Sequence, residues 1–383
     1  MFRALRPARI TRVAVALCLT LGAFHTCCVG AQQAGPQELF QEAVEAQQRG
    51  DDTVAVRKYR ELLNAHPEAV NVRVNLGATL AHMKRFGEAV EQYRIVLAAD
   101  PKNALARLNL ALAYQGMGEL APAIKELEEV HRENPGDDQS AMVLADCYVQ
   151  SGRDTEAIAL LSPLEPVQPD DPDLEWLLGS ALIQAGRAQE GVGRVENAAG
   201  KDDSADAWLL AGQTRLELTQ FDLAKRDADA ALALNPNLAG LETLRGMIQE
   251  QTADYDGAEA TLLQALAANP NDYNAHYYLG AIYYFKRNMD SAREHLARAL
   301  ELQPSSSQAR FEMALVESAD GQMDAALRDL EFVVHHSPAW LQPHVELSTL
   351  YYRLHRPEDG AKQKEIVDRM MAADQQSHSE VAH

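Results

Sequence analysis

Proline recurs at a fixed interval along this chain of 383 residues: Pro67, Pro101, Pro135 and Pro169, then Pro236, Pro270, Pro304 and Pro338. Neighbours within each group are 34 residues apart. The groups are separated by 67, two periods less one, and Asp203 stands where the absent proline would fall. A period of about 34 residues marks a stack of helical hairpins, none of which buries its apolar face alone. Proline suits the end of each hairpin because it lacks an amide proton and drives the preceding residue out of helical conformation.

Placing each proline at position 32, units begin at Pro36, Val70, Ala104, Asp138 and Pro172, then Ala205, Ala239, Tyr273, Ser307 and Leu341. The eighth place holds a small residue throughout, as in Ala43, Gly77, Ala111 and Gly280, and the twentieth holds alanine or glycine, as in Ala55, Ala89, Gly191 and Ala292. These are the points where paired helices approach most closely. Large residues such as Tyr93, Tyr114, Leu127 and Leu296 fill the spaces between. A Gly-x-hydrophobic turn joins the helices, as in Gly118-Glu119-Leu120.

The small residues at positions 8 and 20, Tyr or Leu at 11 and proline at 32 resemble the tetratricopeptide repeat family over residues 36–374. The resemblance implies an all-α fold, a right-handed superhelix (α-solenoid) of about ten helix–turn–helix units. The tenth is a poorer copy, interrupted by Pro357, and its charged second helix (about 358–373) suits an exposed cap. Residues 375–383 are polar without an apolar period and are expected to be a disordered tail. Pro163 and Pro166 should end one helix early. With Gly191, Gly193 and Gly200 and the one-residue slip at Asp203, they predict a pivot between about 162 and 205.

Residues 1–31 stand apart from the array. Arg3, Arg6, Arg9 and Arg12 precede a short apolar run, Val13–Phe24, and Val29-Gly30-Ala31 forms a cleavage pattern. This is the anatomy of a secretory signal peptide, followed by a short linker at 32–35. The run is too short for a membrane-crossing helix, which needs about 20 apolar residues, so no membrane span is expected in the mature chain. The expected location is periplasmic or secreted. Cys147 is then the one remaining cysteine, read as a buried inert thiol. Removing four arginines from 35 basic residues against 56 acidic leaves a charge of about −25. No basic face is left for nucleic acid.

No nucleophile elbow, phosphate loop or His-Glu-x-x-His motif occurs. The chain therefore reads as non-enzymatic, with no catalytic residue, metal site or cofactor. The family resemblance implies that the first helix of each unit lines a concave groove, and that Asn75 and Asn109 match a residue able to bond an extended peptide's backbone. Aromatic residues are typical binding anchors. Tyr277, Tyr278, Tyr284 and Phe285 occupy groove positions in the eighth unit, Phe311 follows in the ninth, and Trp176 lies in the fifth. The expected function is an exported scaffold holding a protein or peptide segment in the groove, serving assembly or organisation of envelope or secreted components. The alternative is a carbohydrate- or polymer-binding accessory module of an export machine.

Overall fold

The computed structural model of the chain describes residues 35–381. The expected signal peptide (1–31) and the linker up to residue 34 lie outside them. Among the described residues there are twenty helices, paired as ten hairpins, and no strand. The first five pairs are α1 (Pro36–Gln48) with α2 (Asp52–Ala65), α3 (Val70–His82) with α4 (Phe86–Ala99), α5 (Ala104–Gly116) with α6 (Leu120–Glu133), α7 (Asp138–Gln150) with α8 (Asp154–Leu161), and α9 (Pro172–Gln184) with α10 (Ala188–Asp202). The second five are α11 (Ala205–Glu217) with α12 (Phe221–Leu234), α13 (Leu241–Gln251) with α14 (Tyr255–Ala268), α15 (Tyr273–Phe285) with α16 (Met289–Leu302), α17 (Ser307–Ala319) with α18 (Met323–His336), and α19 (Leu341–Arg353) with α20 (Pro357–Val381). The all-α repeat solenoid read from the sequence is the fold. The helices form two compact units, one ending at Thr214 and the other beginning at Arg215.

In the first unit the small residues hold the hairpins together as their spacing demands. A Cβ on Gly77 would stand 2.6 Å from the ring of Tyr93, itself fully buried. Between α9 and α10 the approach is closest: a Cβ on Gly191 would lie 2.5 Å from the carbonyl oxygen of Gly179. Two glycines thus let backbone meet backbone. In the second unit Gly246 and Gly280 play the same part against Leu262 and Leu296.

Every hairpin turns over three residues, and the middle one, position fifteen, adopts the left-handed conformation. It is glycine in five hairpins, Gly118 and Gly321 among them; elsewhere it is Lys84, Thr219, Ala253, Arg287 or His355. Thr219 pays most for that geometry, since a branched Cβ crowds its own backbone at φ 58°.

Asp203 explains the slipped period. After α2, α4 and α6 a proline linker of four residues follows a 14-residue helix, as His66–Ala69 follows α2. Here α10 runs one residue longer, and Asp203, left-handed at φ 47°, turns the chain into α11 with only Ser204 between. One residue gained and two lost make the deficit of one. α8 does stop early, at Leu161, before Pro163 and Pro166. The segment expected to pivot (162–205) lies wholly inside the first unit, where α9 and α10 pack tightly.

The tenth hairpin keeps its phase better than its sequence suggests. Pro357 is the first residue of α20, where a missing amide proton costs nothing. Ser348, at position eight, donates to the carbonyl of Gly360, at position twenty (2.9 Å). The tail expected to be disordered from residue 375 instead continues α20 to Val381. Residues 361–381 contain no glycine or proline to stop the helix.

A recurring side-chain link ties five of the eight proline turns to the hairpins that follow them. Six residues after the proline, Arg73 donates to the Pro67 carbonyl (2.8 Å) and to Gln92 on the following helix (2.9 Å). Arg107 joins the Pro101 carbonyl to Glu126, and Arg310 joins the Pro304 carbonyl to Asp329. His344 repeats the pattern with the Pro338 carbonyl and Gln363. In the fifth hairpin the charges are reversed, with buried Glu175 facing Arg194.

The eighth hairpin uses two histidines. His276 Nε2 lies 3.2 Å from the Pro270 carbonyl, and its Nδ1 lies 3.0 Å from Nδ1 of His295. A carbonyl only accepts, so Nε2 carries the proton of neutral His276, and His295 donates to its bare Nδ1. Burial, then the nearby His276, holds the His295 pKa below the usual histidine value. The Tyr283 ring stacks on His295 and Glu294 adds a small opposing pull.

Two predictions follow from these contacts. Gly191→Ala drives a methyl into the Gly179 carbonyl and should destabilise by about 1–3 kcal/mol. Gly193→Ala, whose added Cβ would meet nothing within 4 Å, should gain about 0.5–1 kcal/mol, and thermal melting of both variants reads the contrast. For His295, whose pKa is lowered, the folded state resists a proton that the unfolded chain accepts, so stability falls as pH drops below about 6.5. His276→Arg/His295→Glu, which installs the pairing seen at Arg107 and Glu126, should flatten that acid loss in melting curves taken from pH 7.5 to 5.

Candidate binding groove

The residues singled out in the sequence fall into two groups once folded. Asn75, Asn109, Trp176 and Phe311 are buried, at 6% exposure or less. Asn75 and Asn109 hold the sixth position of their units, and Trp176 and Phe311 the fifth. Asn75 hydrogen-bonds Tyr59, a tyrosine of the hairpin before it. The Asn109 amide is buried without a partner for either polar atom. Phe311 packs on Trp340, ring centroids 4.8 Å apart, in the core of the ninth and tenth hairpins.

The tyrosines of α15 are different. Tyr277, Tyr278 and Tyr284 are only partly buried, and Phe285 is 61% exposed. Tyr273 and Tyr277, one helical turn apart, lie with planes 6° from parallel and centroids 6.2 Å apart. Tyr277 meets Tyr278 edge to face at 5.0 Å. Tyr273 is fixed by a 2.6 Å hydrogen bond to Ser306, the N-cap of α17. Tyr284 leans on the core formed by Met313 and Val316, with the Arg287 guanidinium 5.9 Å from its ring. Phe285 packs at 4.3 Å on Tyr255. The result is an aromatic wall whose rings are positioned in advance by their neighbours.

Two acids that the sequence reading passed over belong to the same face. Glu250 is at the twelfth position of α13's unit, and Glu312 at the sixth of α17's. Burial, reinforced by Glu250, raises the Glu312 pKa to about 7. The Glu250 pKa is also raised by burial. The phenol of Tyr278 is pushed up to about 12, and that of Tyr277 higher still, by burial above all, with Glu312 adding to the effect on Tyr277. The positional numbering that picked out Tyr277 and Tyr278 would have found both acids, had it been applied to charge as well as to aromatic rings.

Among the described residues no group of three or more His, Cys, Asp or Glu side chains could hold a metal ion. No described helix is long and apolar enough to cross a membrane. Cys147 is fully buried, and burial, with Asp146 beside it, raises its thiol pKa to about 12, which leaves it inert. The arginine-lined hollow of about 460 Å³ between α2 and the turn leading into α4 contains Arg60 and Arg85, both paired with Glu88.

Family profiles described as tetratricopeptide repeat match residues 40–104, 243–307 and 283–331, residues 80–143 and 120–181, and residues 205–238. Together they span well over half of the sequence, and the chain belongs to the tetratricopeptide repeat family. It is similar to the Cut9–Hcn1 hetero-tetramer structure of the APC/C, at 13% identity over 88% of this chain and 87% of that chain, with a TM-score of 0.54. Yeast Tom70 aligns at 14% identity over 90% of this chain and 96% of that one, TM-score 0.40. Pseudomonas aeruginosa pilF aligns at 18% over 52% and 91%, TM-score 0.46. At such identities the likeness concerns the fold alone. No curated protein matches the sequence.

Proposed function

We propose that this protein is an exported, non-enzymatic interaction scaffold that holds a protein segment, helical or extended, against the face formed by α13, α15 and α17. The observation that carries the reading is the aromatic wall of α15. Partly exposed tyrosines held by core contacts present large apolar area with little entropy left to lose on binding. Repeat proteins of this class work through extended surfaces of this kind. The basic and apolar pattern of residues 3–31 supports export, and with it a role in assembling or organising envelope or secreted components.

Crosslinking in cells, followed by recovery of the protein from the exporting compartment, tests the binding face. A Tyr277→Ala/Tyr284→Ala variant that folds normally should lose its crosslinked protein partner by about tenfold or more. Unchanged crosslinking would remove the face from consideration, and a glycan crosslinked in place of protein would redirect the reading to carbohydrate. Export is checked separately by sequencing the mature N-terminus. Cleavage after Ala31 is the expected outcome, and a cytoplasmic chain still beginning at Met1 would exclude export.

A further inference from the structure

The acids of this face have no cation of their own. Glu250 accepts a 2.7 Å hydrogen bond from its neighbour Gln251, and among the described residues neither Glu250 nor Glu312 pairs with a lysine or arginine. Of the bases on these hairpins, Arg287 lies against the Tyr284 ring, 5.9 Å from its centroid, and three others are held by acids. Arg245 binds Glu242, Lys286 binds Asp256 and Glu259, and Arg310 is held by Asp329 and the Pro304 carbonyl.

The sixth position is uncharged in the first eight units. It holds Asn75, Asn109, Val143, Leu177, Leu210 and Leu244 in the second to seventh units, all buried. Tyr278 follows in the eighth, and then Glu312 and Glu346 place carboxylates at this position in the ninth and tenth. An unpaired, largely buried carboxylate is costly, and such groups gather at functional sites. Glu312 on α17 and Glu250 on α13 lie on the two inner helices that flank α15, close enough to act on one another and on Tyr277 between them.

We infer that this face selects a basic side chain: a lysine or arginine projecting from the bound protein segment, its charge lodged between Glu250 and Glu312 against the rings of Tyr277 and Tyr278. This rests on the binding face proposed above and adds the chemistry of its ligand. A cation supplies what the carboxylates lack, a charge-assisted hydrogen bond in a partly desolvated site. The tyrosine rings attract the same charge through their faces. A net charge of −21 over the whole sequence also draws basic segments toward the protein. Occupancy restores Glu312 to its ionised form, so binding near neutral pH releases a proton.

The test uses a phage-displayed random peptide library panned on the full chain at pH 7.5. Enriched peptides are resynthesised with each basic residue replaced by norleucine, which keeps the stem and removes the charge. The expected result is a shared lysine or arginine whose replacement weakens binding by about tenfold or more. Glu312→Gln should cost about as much, with little further loss when the two changes are combined. Glu312→Gln removes a buried charge, so it should fold and show a Tm at pH 8 no lower than the parent's. Peptides that require Tyr277 and Tyr284 but share no basic residue, or ignore Glu312→Gln, would overturn the inference and leave the binding face standing. A library with no binder, or binders indifferent to the tyrosines, would remove both.

Discussion

Everything in this array depends on how closely two helices of one hairpin can lie. Backbone-to-backbone approach at positions eight and twenty is the limiting contact, and at Gly179 and Gly191 no side chain intervenes at all. Once that spacing is set, the large residue at position twenty-four, Tyr93 or Leu296, has a defined slot to fill and becomes fully buried. Packing at native density then rigidifies the pair, because a slot shaped to one side chain tolerates little change. The inner helices inherit their orientation from those hairpins. The tyrosines of α15 are set on such a helix and held there by Ser306, Met313 and Val316.

The repeat architecture was legible because its determinants are local and periodic. Proline, alanine and glycine at fixed intervals report backbone needs that no other residue meets, so counting recovered ten hairpins even where Pro357 obscured the last. What counting could not supply was the form of the irregularities. The slip at Asp203 was visible as a number, but its cause is conformational: a left-handed aspartate in place of an extended residue before proline. The continuation of α20 to Val381 was missed for the opposite reason. Polarity suggested disorder, whereas helix propensity and the lack of any stop residue favour a continued helix.

The binding face was half legible. Position in the unit located the inner helices, but it did not say which inner residues are covered by the next repeat. That depends on side-chain size and on the fit between neighbours, which are long-range properties. Asn75, Asn109, Trp176 and Phe311 were chosen on position and chemical type, and all are buried. Tyr277 and Tyr278 hold the same positions as Phe311 and Asn109 and stay partly open. Phe285, at the last groove position, is the most exposed of the set.

The side-chain link set six residues past most of the prolines has a further consequence. Its partners change from Arg–Gln to Arg–Glu, Glu–Arg, His–His, Arg–Asp and His–Gln, while the place it occupies in the hairpin stays the same. Each link is confined to a single hairpin and its own entry turn, and none of its residues is among Tyr277, Tyr278, Glu250 or Glu312. Joint and ligand are therefore written in separate alphabets. Such a chain is free to revise what its inner face recognises, one helix at a time, while the joints that hold those helices in register go on being spelled as before.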